Sequence, residues 1–327
     1  MIEIKSPARL HFGQLDLNGD IGRIYGGSGV GIKEPYCKMK FKKSDKIIVK
    51  GKKSQEIKKT LEKLIDVLIG KSLLNNNMGV IVEVENILPF HSGLGSGTQI
   101  GLTLAEGINN LYNLGLDKFK IAELVDRKHS RSAIGFGAFY YGGFITDGGR
   151  ITKEKENDNY LPPILFQEKI PVDWCFIIIL PSLDKEKIAG EKEIKTFKKL
   201  EKMDIDICAK NSHHLLLGML PALKEKDIKK FSTHLNIIED NAADYFSEIQ
   251  SGRYTSKYSQ EILTFLEEHG VLGRGQSSWG PSLYALIENK ERAKKIKEKI
   301  LTKFTKIINK IYITSAENGG AKITKSV

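Results

Sequence analysis

Cysteine is nearly missing from this sequence. Cys37, Cys175 and Cys208 stand alone, odd in number and in no CxxC spacing. That pattern argues against a disulfide framework or a zinc site and reads as small buried hydrophobes. Long apolar runs are missing too. The most apolar stretch, Cys175 to Leu180, is far too short to span a bilayer and reads as a buried strand. The opening MIEIKSPARLHFG has no apolar leader region and reads as a strand. A cytoplasmic protein without a membrane partner is therefore expected. No basic stripe with interleaved aromatics occurs, so a net charge of +11 does not point to nucleic acid. The excess sits in lysine-rich helical stretches mixed with acids, and it suits an anionic substrate.

What is present is a mixture of strand and helix patterns. Glu3–Phe12 and Val30–Phe41 alternate as strands around the polar turn DLNGDIGRIYGGSG, and Val80–Val84 and Trp174–Pro181 read as further strands. Ile57, Leu61, Leu64, Ile65 and Leu68 fall on one face of a helix over Ile57–Leu73. Helices are also expected over Thr98–Leu114, Lys118–Lys128, Glu191–Met203, Ala209–Leu223, Asp227–Ala243, Ser259–Glu268 and Glu291–Phe304. Ala138–Thr146 reads as a strand or hairpin, and Lys153–Pro163 is the best linker. A second glycine-rich turn, GVLGRGQSSWGPS, precedes strand Leu283–Ile287, and Lys310–Thr314 closes the pattern. The expected class is α+β in two lobes, 1–160 and 161–327.

The strongest local signal is PFHSGLGSGTQ, Pro89 to Gln99. A strand leads in. A helix with Ile100, Leu104, Ile108 and Leu111 on one face leads out, and Ser96 and Gln99 have capping-box spacing. Gly93, Gly95 and Gly97 let the backbone approach a ligand closely, and Ser96 and Thr98 add hydroxyls at the positive end of a helix. A phosphate group is the expected ligand. A Walker A loop is excluded, because the only GKS, Gly70-Lys71-Ser72, has Ile65 where the first glycine belongs. A Rossmann fingerprint is excluded by Thr98 in place of its third glycine.

Three segments together resemble the GHMP kinase superfamily: Ser6-Pro7-Ala8-Arg9-Leu10-His11-Phe12-Gly13, the loop PFHSGLGSGTQ, and the turn Gly273 to Ser282. The resemblance implies an N-terminal lobe similar to ribosomal protein S5 domain 2, a ferredoxin-like C-terminal lobe and a ligand between them. The strings RLHFGQLDLNGDIGRIYGG, RSAIGFGAFYYGGFITDGG and GQSSWGPSLYAL are similar to those of archaeal β-ribofuranosylaminobenzene 5′-phosphate synthases of methanopterin biosynthesis. Such enzymes are implied to join phosphoribosyl pyrophosphate to 4-aminobenzoate or 4-hydroxybenzoate, with loss of carbon dioxide and pyrophosphate. The rival is an ATP-dependent small-molecule kinase of the same superfamily. Many of those kinases carry an Asp where this chain reads Ser132-Ala133-Ile134-Gly135, and Gly135 can neither take a hydroxyl proton nor fix a catalytic lysine.

The implied chemistry assigns roles. Departure of pyrophosphate needs charge neutralisation, expected from Mg²⁺ and cationic side chains. Arg9, His11, Asp16, Asn18 and Arg23 cluster in the first turn. Asp16, Arg23 and His11 are the catalytic candidates and Asp16 also the metal ligand; Arg9 and Asn18 would grip the donor. Asp16 and Asn18 in Asp-Leu-Asn-Gly are equally ordinary turn residues. Gln276, Ser277, Ser278 and Trp279 would face the acceptor. Trp279 can stack on an aromatic ring or plug the interface between lobes. A homodimer is expected.

Overall fold

In the computed structural model, which describes residues 1–125, 130–152, 160–182, 201–247, 250 and 252–326, the first hairpin outruns the alternation that predicts it. Strand β1 spans Ile2–Asp16 and β2 spans Arg23–Ser44. Their antiparallel register runs from Ile2 opposite Phe41 to Asp16 opposite Tyr25, so most of the expected polar turn is paired strand. The register shifts between Phe12 and Gln14 around Gly13, whose φ is +53°. One extra residue in a strand reverses which side chains face which way. Arg9 and His11 lie on one face before the bulge, and Gln14 and Asp16 join that face after it.

The rest of the first sheet is built on this hairpin. Strands β3 (Ile48–Gly51) and β4 (Gly79–Asn86) extend one side. Strand β5 (Phe144–Asp147) pairs with β2, and so does β6 (Arg150–Ile151). Strand β7 (Ile164–Glu168) pairs with β5, and β12 (Lys322–Lys325) pairs with β1. The 160/161 division therefore divides the sequence but not the sheet, since β7 and β12 lie beyond it. Helix α1 (Ser54–Gly70) buries Ile57, Leu61, Leu64, Ile65 and Leu68, the stripe its spacing predicts. Helix α2 (Ser96–Tyr112) is buried almost all round. Helix α3 (Lys118–Leu124) is shorter than expected; the remaining calls over 126–128, over 153–159 and over 191–200 lie outside the described residues.

The segment before Gly142 departs from the expected strand or hairpin. Ala138–Tyr140 belongs to helix α4 (Ile134–Tyr140), not to a strand or hairpin. Its glycines mask the helix in the sequence, yet they serve packing: a Cβ on Gly137 would sit 3.0 Å from Ile145 Cδ1.

The second sheet is antiparallel in the order β11 (Ile308–Ser315), β8 (Cys175–Pro181), β10 (Leu283–Ile287), β9 (Gly273–Gln276). Strand β9 corrects the expectation that the whole stretch from Gly270 to Ser282 is a turn. Helix α5 (Ile205–His213) passes through a π-helical turn, His214–Met219, into α6 (Leu220–Lys224), followed by α7 (Ile228–Phe246). Helices α8 (Ser259–Glu268) and α9 (Lys290–Phe304) complete the lobe. Residues of β8 alternate between two cores. Ile177 and Ile179 pack with Ile262, Leu266 and Ile300 of α8 and α9. Phe176 and Ile178 share a core with Phe231 and Leu235 of α7 and with Phe12 and Phe144 of the first sheet. Phe12 lies 5.1 Å from Tyr284, ring to ring, so the two sheets are joined by side-chain packing. No helix of the described residues is long and apolar enough to cross a membrane.

Candidate active site

The loop after β4 delivers a free helix end. Gly93 and Gly95 have φ of +79° and +76°, the left-handed region where glycine carries no Cβ penalty. Helix α2 starts at Ser96, and its first i to i−4 bond runs from Gln99 N to Gly95 O at 3.0 Å. The amides of Ser96, Gly97 and Thr98 precede that bond and point out of the helix. The expected capping box is not made. Gly95 occupies the cap without a side-chain bond, and the buried Gln99 donates Nε2 to Gly135 O at 2.8 Å. The three glycines also differ in purpose. A Cβ on Gly93 would lie 2.2 Å from Ser277 O, and one on Gly95 would lie 2.8 Å from Arg9 Cγ. Only Gly97 would project a side chain into open space. The close approach expected of a ligand is made by the protein itself at Gly93 and Gly95, and of the three only Gly97 borders open space at the helix start.

Three segments distant in sequence lock together beneath this loop. Arg9 donates Nη1 to Gly93 O at 2.5 Å, and Arg9 N donates to Leu94 O at 3.1 Å. Ser277 donates Oγ to Gly93 O at 2.7 Å and accepts His11 N at 3.1 Å. Ser278 N donates to His11 O at 3.4 Å, and Ser282 donates both N and Oγ to Ser92 O. The phosphate loop, β1 and the second turn thus form one polar knot.

Beside the knot lies a cavity of about 50 Å³. His11, Gln14, Glu239, Gln250, Gln276 and Trp279 supply its polar and aromatic wall. The ring of Trp279 sits 5.0 Å from that of Phe246, and its carbonyl accepts Thr255 Oγ1 at 2.6 Å. Burial, with Arg9 adding to it, lowers the His11 pKa to about 3, so its imidazole is neutral at pH 7. Burial raises Glu239 to about 8, which favours the carboxylic acid at pH 7. Neither Glu239 nor Gln250 was legible as a site residue. The signal for Glu239 was available: it falls four residues after Leu235 on the buried face of α7, where an acid is out of place.

The first turn is arranged differently. Asp16 Oδ1 accepts the amides of Asn18 and Gly19, both at 2.8 Å. Asn18 donates Nδ2 to Met203 O at 2.7 Å. Arg23 donates Nε to Gly148 O at 2.8 Å and Nη2 to Gly149 O and to Tyr160 Oη. Asp16, Asn18 and Arg23 do not line the cavity. Asp16 stands seven strand positions from Arg9, roughly 23 Å along β1. The two turns do lie on one side of the molecule, because Leu17 and Phe246 share a small core and Phe246 meets Trp279. Among the described residues no group of three His, Cys, Asp or Glu could hold a metal ion.

Gly135 bears on the choice of chemistry. A Cβ there would lie 3.0 Å from Thr98 Cγ2 and 3.3 Å from Thr98 Oγ1, so this position abuts the first turn of α2. Asp147, later in the same segment, is fully buried and accepts Ser132 Oγ, Ala133 N and Gly149 N.

Comparison with known proteins agrees with this architecture. Residues 56–143 match the GHMP kinases N terminal domain, and residues 219–306 match the GHMP kinases C terminal family. The chain is 32% identical to β-ribofuranosylphenol 5′-phosphate synthase of Methanocaldococcus jannaschii, over 98% of this chain and 99% of that one. It is 30% identical to the enzyme of that name from Archaeoglobus fulgidus, covering 88% of each. The solved structure of L. major mevalonate kinase in complex with R-mevalonate superposes with a TM-score of 0.70 at 14% identity, over 97% of this chain and 96% of that one. A fold shared with a kinase, and sequence shared along nearly the full length with synthases, place the chain in the GHMP kinase superfamily, among the β-ribofuranosylphenol 5′-phosphate synthases.

Proposed function

We propose that the protein is a decarboxylating phosphoribosyltransferase. Phosphoribosyl pyrophosphate and 4-hydroxybenzoate give an aryl C-riboside 5′-phosphate, carbon dioxide and pyrophosphate, in methanopterin biosynthesis. The relatives' names support this acceptor: a ribofuranosylphenol is the product of a hydroxybenzoate, whereas an aminobenzoate would give a ribofuranosylaminobenzene. The observation that carries the reading is the juxtaposition of the open α2 amides with an aromatic-walled cavity, joined through Ser277. One suits an anionic group and the other suits one edge of an aromatic ring.

Departure of pyrophosphate leaves oxocarbenium character at C1 of the ribose. The ring carbon bearing the carboxylate attacks, and loss of carbon dioxide restores aromaticity. The protein's part is positioning. The amides of Ser96 to Thr98 fix a phosphate, Arg9 holds the loop that presents them, and Trp279 and Phe246 wall the ring. A neutral His11 adds no positive charge next to the developing cation. Asp16 and Arg23 spend their bonds on the chain, so we assign them to shaping the first turn. Mg²⁺, when bound, supplies charge neutralisation on the leaving pyrophosphate. The residues fit an ion carried by substrate oxygens and water better than one in a protein cage, since Asp16 already uses Oδ1. The homodimer is proposed on the exposed pair Leu216 and Leu217, and light scattering tests it.

The reaction is tested by incubating the protein with phosphoribosyl pyrophosphate, Mg²⁺ and carboxyl-labelled 4-hydroxybenzoate. Labelled carbon dioxide, dependent on the donor, is expected. ATP-dependent phosphorylation of an alcohol without carbon dioxide release would restore the kinase reading, against which Gly135 beside Thr98 stands.

A further inference from the structure

The cavity beside the knot holds an unusual set of atoms. Gln14 Oε1 and Gln250 Oε1 are buried and make no hydrogen bond in the protein, and Glu239 Oε1 is buried with only the Tyr284 hydroxyl, itself without another partner, facing its carboxyl. Gln14, Gln250 and Glu239 line the same cavity. Glu239 and Gln250 are 5% and 9% exposed, so water in bulk does not solvate them. Buried polar atoms without partners are costly, commonly ~1–3 kcal/mol each, and such a group in one recess marks a place where a polar group of a ligand belongs. The other carboxylate oxygen of Glu239 is fixed by Gln276 N at 3.2 Å. Gly275 leaves room for the carboxyl group, since a Cβ there would lie 2.3 Å from Glu239 Oε2.

The size of the recess restricts the ligand. About 50 Å³ holds one or two waters or one edge of a benzene ring, but not the whole ring. An aromatic acceptor entering it hydroxyl first keeps the opposite edge outside, where a donor can reach it. In a 4-hydroxybenzoate that opposite edge is the carbon bearing the carboxylate.

We propose that Glu239 is the catalytic proton acceptor for the 4-hydroxyl of the aromatic substrate, its single O–H meeting Glu239 Oε1, and that the Gln14 and Gln250 amides line the hydroxyl's seat. The proposal rests on the reaction assigned above. As the ribose C1 bond forms, the O–H proton moves to Glu239 Oε1 and its electron pair enters the ring, giving a dienone that still carries the carboxylate. The carbon–carboxylate bond then breaks, its electron pair returns to the ring, carbon dioxide leaves, and the phenolate oxygen takes the proton back from Glu239. Atoms and electrons balance, and Glu239 ends as it began. The step requires the carboxylate form. Burial holds Glu239 near 8, with Arg274 on β9 opposing that rise and Asp240 on α7 adding to it. Tyr284 on β10 also faces the carboxyl, and His11, Arg253 and Tyr254 line the same cavity. His11 is uncharged at neutral pH, and Arg253 is paired with Asp240 and Asp244. Turnover should therefore rise with pH through about 8, as Glu239 ionises.

Two measurements test this. Calorimetry without donor compares 4-hydroxybenzoate with benzoate. The wild type should prefer the hydroxylated ligand by at least about tenfold, and Gln250→Leu and Glu239→Leu should each reduce the preference. Carbon dioxide release is then followed from pH 6 to 9. The shape-conserving Glu239→Gln should lower kcat by about a hundredfold or more and flatten the pH profile, which a packing role would leave unchanged. Equal affinity for the two benzoates, or a Glu239→Gln enzyme with the wild-type profile, overturns the proposal. Hydroxyl-dependent binding without any carbon dioxide release in the wild type would count against the reaction while supporting the seat.

Discussion

The turn after β1 and the turn after β9 are alike in composition, polar residues set around glycine, and opposite in what their bonds reach. In the first, Asp16 binds the amides of Asn18 and Gly19, and Arg23 clamps carbonyls of the Gly148–Gly149 segment. In the second, Ser277 and Ser282 reach across to Ser92 and Gly93, while Gln276 and Trp279 border a cavity. Both turns bond to distant segments. Those of the first reach the backbone at Met203, Gly148 and Gly149, away from the cavity. Those of the second reach the Ser92–Gly93 loop and His11 beside it.

The sharpest way to break this comparison is at the glycines. Gly93→Ala puts a Cβ 2.2 Å from the Ser277 carbonyl at a φ of +79°, against backbone that cannot step aside. We expect a loss of more than about 3 kcal/mol in urea unfolding. Gly97→Val meets nothing within 4 Å and should stay within about 1 kcal/mol of wild type, yet lower donor affinity about a hundredfold in calorimetry. If Gly93→Ala is benign, the knot does not hold the loop. If Gly97→Val binds donor normally, the α2 amides are not the phosphate site.

Ser277→Ala removes the hydroxyl shared by Gly93 O and His11 N and should cost about 1–3 kcal/mol in the same unfolding assay. The cavity also predicts a pH signature. Glu239 rises from 4.5 to about 8 on folding, so the native state holds an extra proton across that window and stability falls as pH rises through it. His11 falls from 6.5 to about 3, so the unfolded state holds the extra proton and stability rises across that window. The two oppose each other between 4.5 and 6.5, which leaves Glu239 acting alone from about 6.5 to 8. The Tm should decline over that upper interval, and the decline should be smaller in Glu239→Gln. The mildest expected change is Asp16→Asn, because an amide oxygen can accept the same two backbone amides. Under about 1 kcal/mol and little change in kcat are expected. A hundredfold loss of kcat would return Asp16 to the reacting end and erase the contrast between the turns.

Periodicity made much of the fold legible. The stripe of α1, the apolar run of β8 and the strand–loop–helix frame around Gly93 to Thr98 all follow from spacing, because burial of one face is what spacing encodes. Features that depend on contacts between distant segments were not legible. The bulge at Gly13 decides that Gln14 and Asp16 share a face with His11, and one glycine in a strand does not announce a shift of register. Ser96 has the spacing of a cap, but Gln99 is drawn away by the Gly135 carbonyl. The glycines of α4 and β9 suggest turns, whereas they permit close packing against Thr98, Ile145 and Glu239. Glu239 was visible only as an acid on an apolar face, a signal that needs the cavity to give it meaning.

The pairing of β12 with β1 carries a consequence for biosynthesis. Ile2 lies opposite Lys325, and the amino terminus donates to Ser326 O at 2.9 Å. During translation β1 is made long before β12, the neighbour of its outer edge. At ~5–20 residues per second the intervening chain takes roughly 15–60 s to make. Through that interval the edge presents unpaired amides and carbonyls to any other nascent strand. The first lobe thus cannot close on the ribosome ahead of the second. Completion of its sheet waits for the synthesis of β12, and a truncated first lobe should gather into aggregates instead of standing as a soluble fragment.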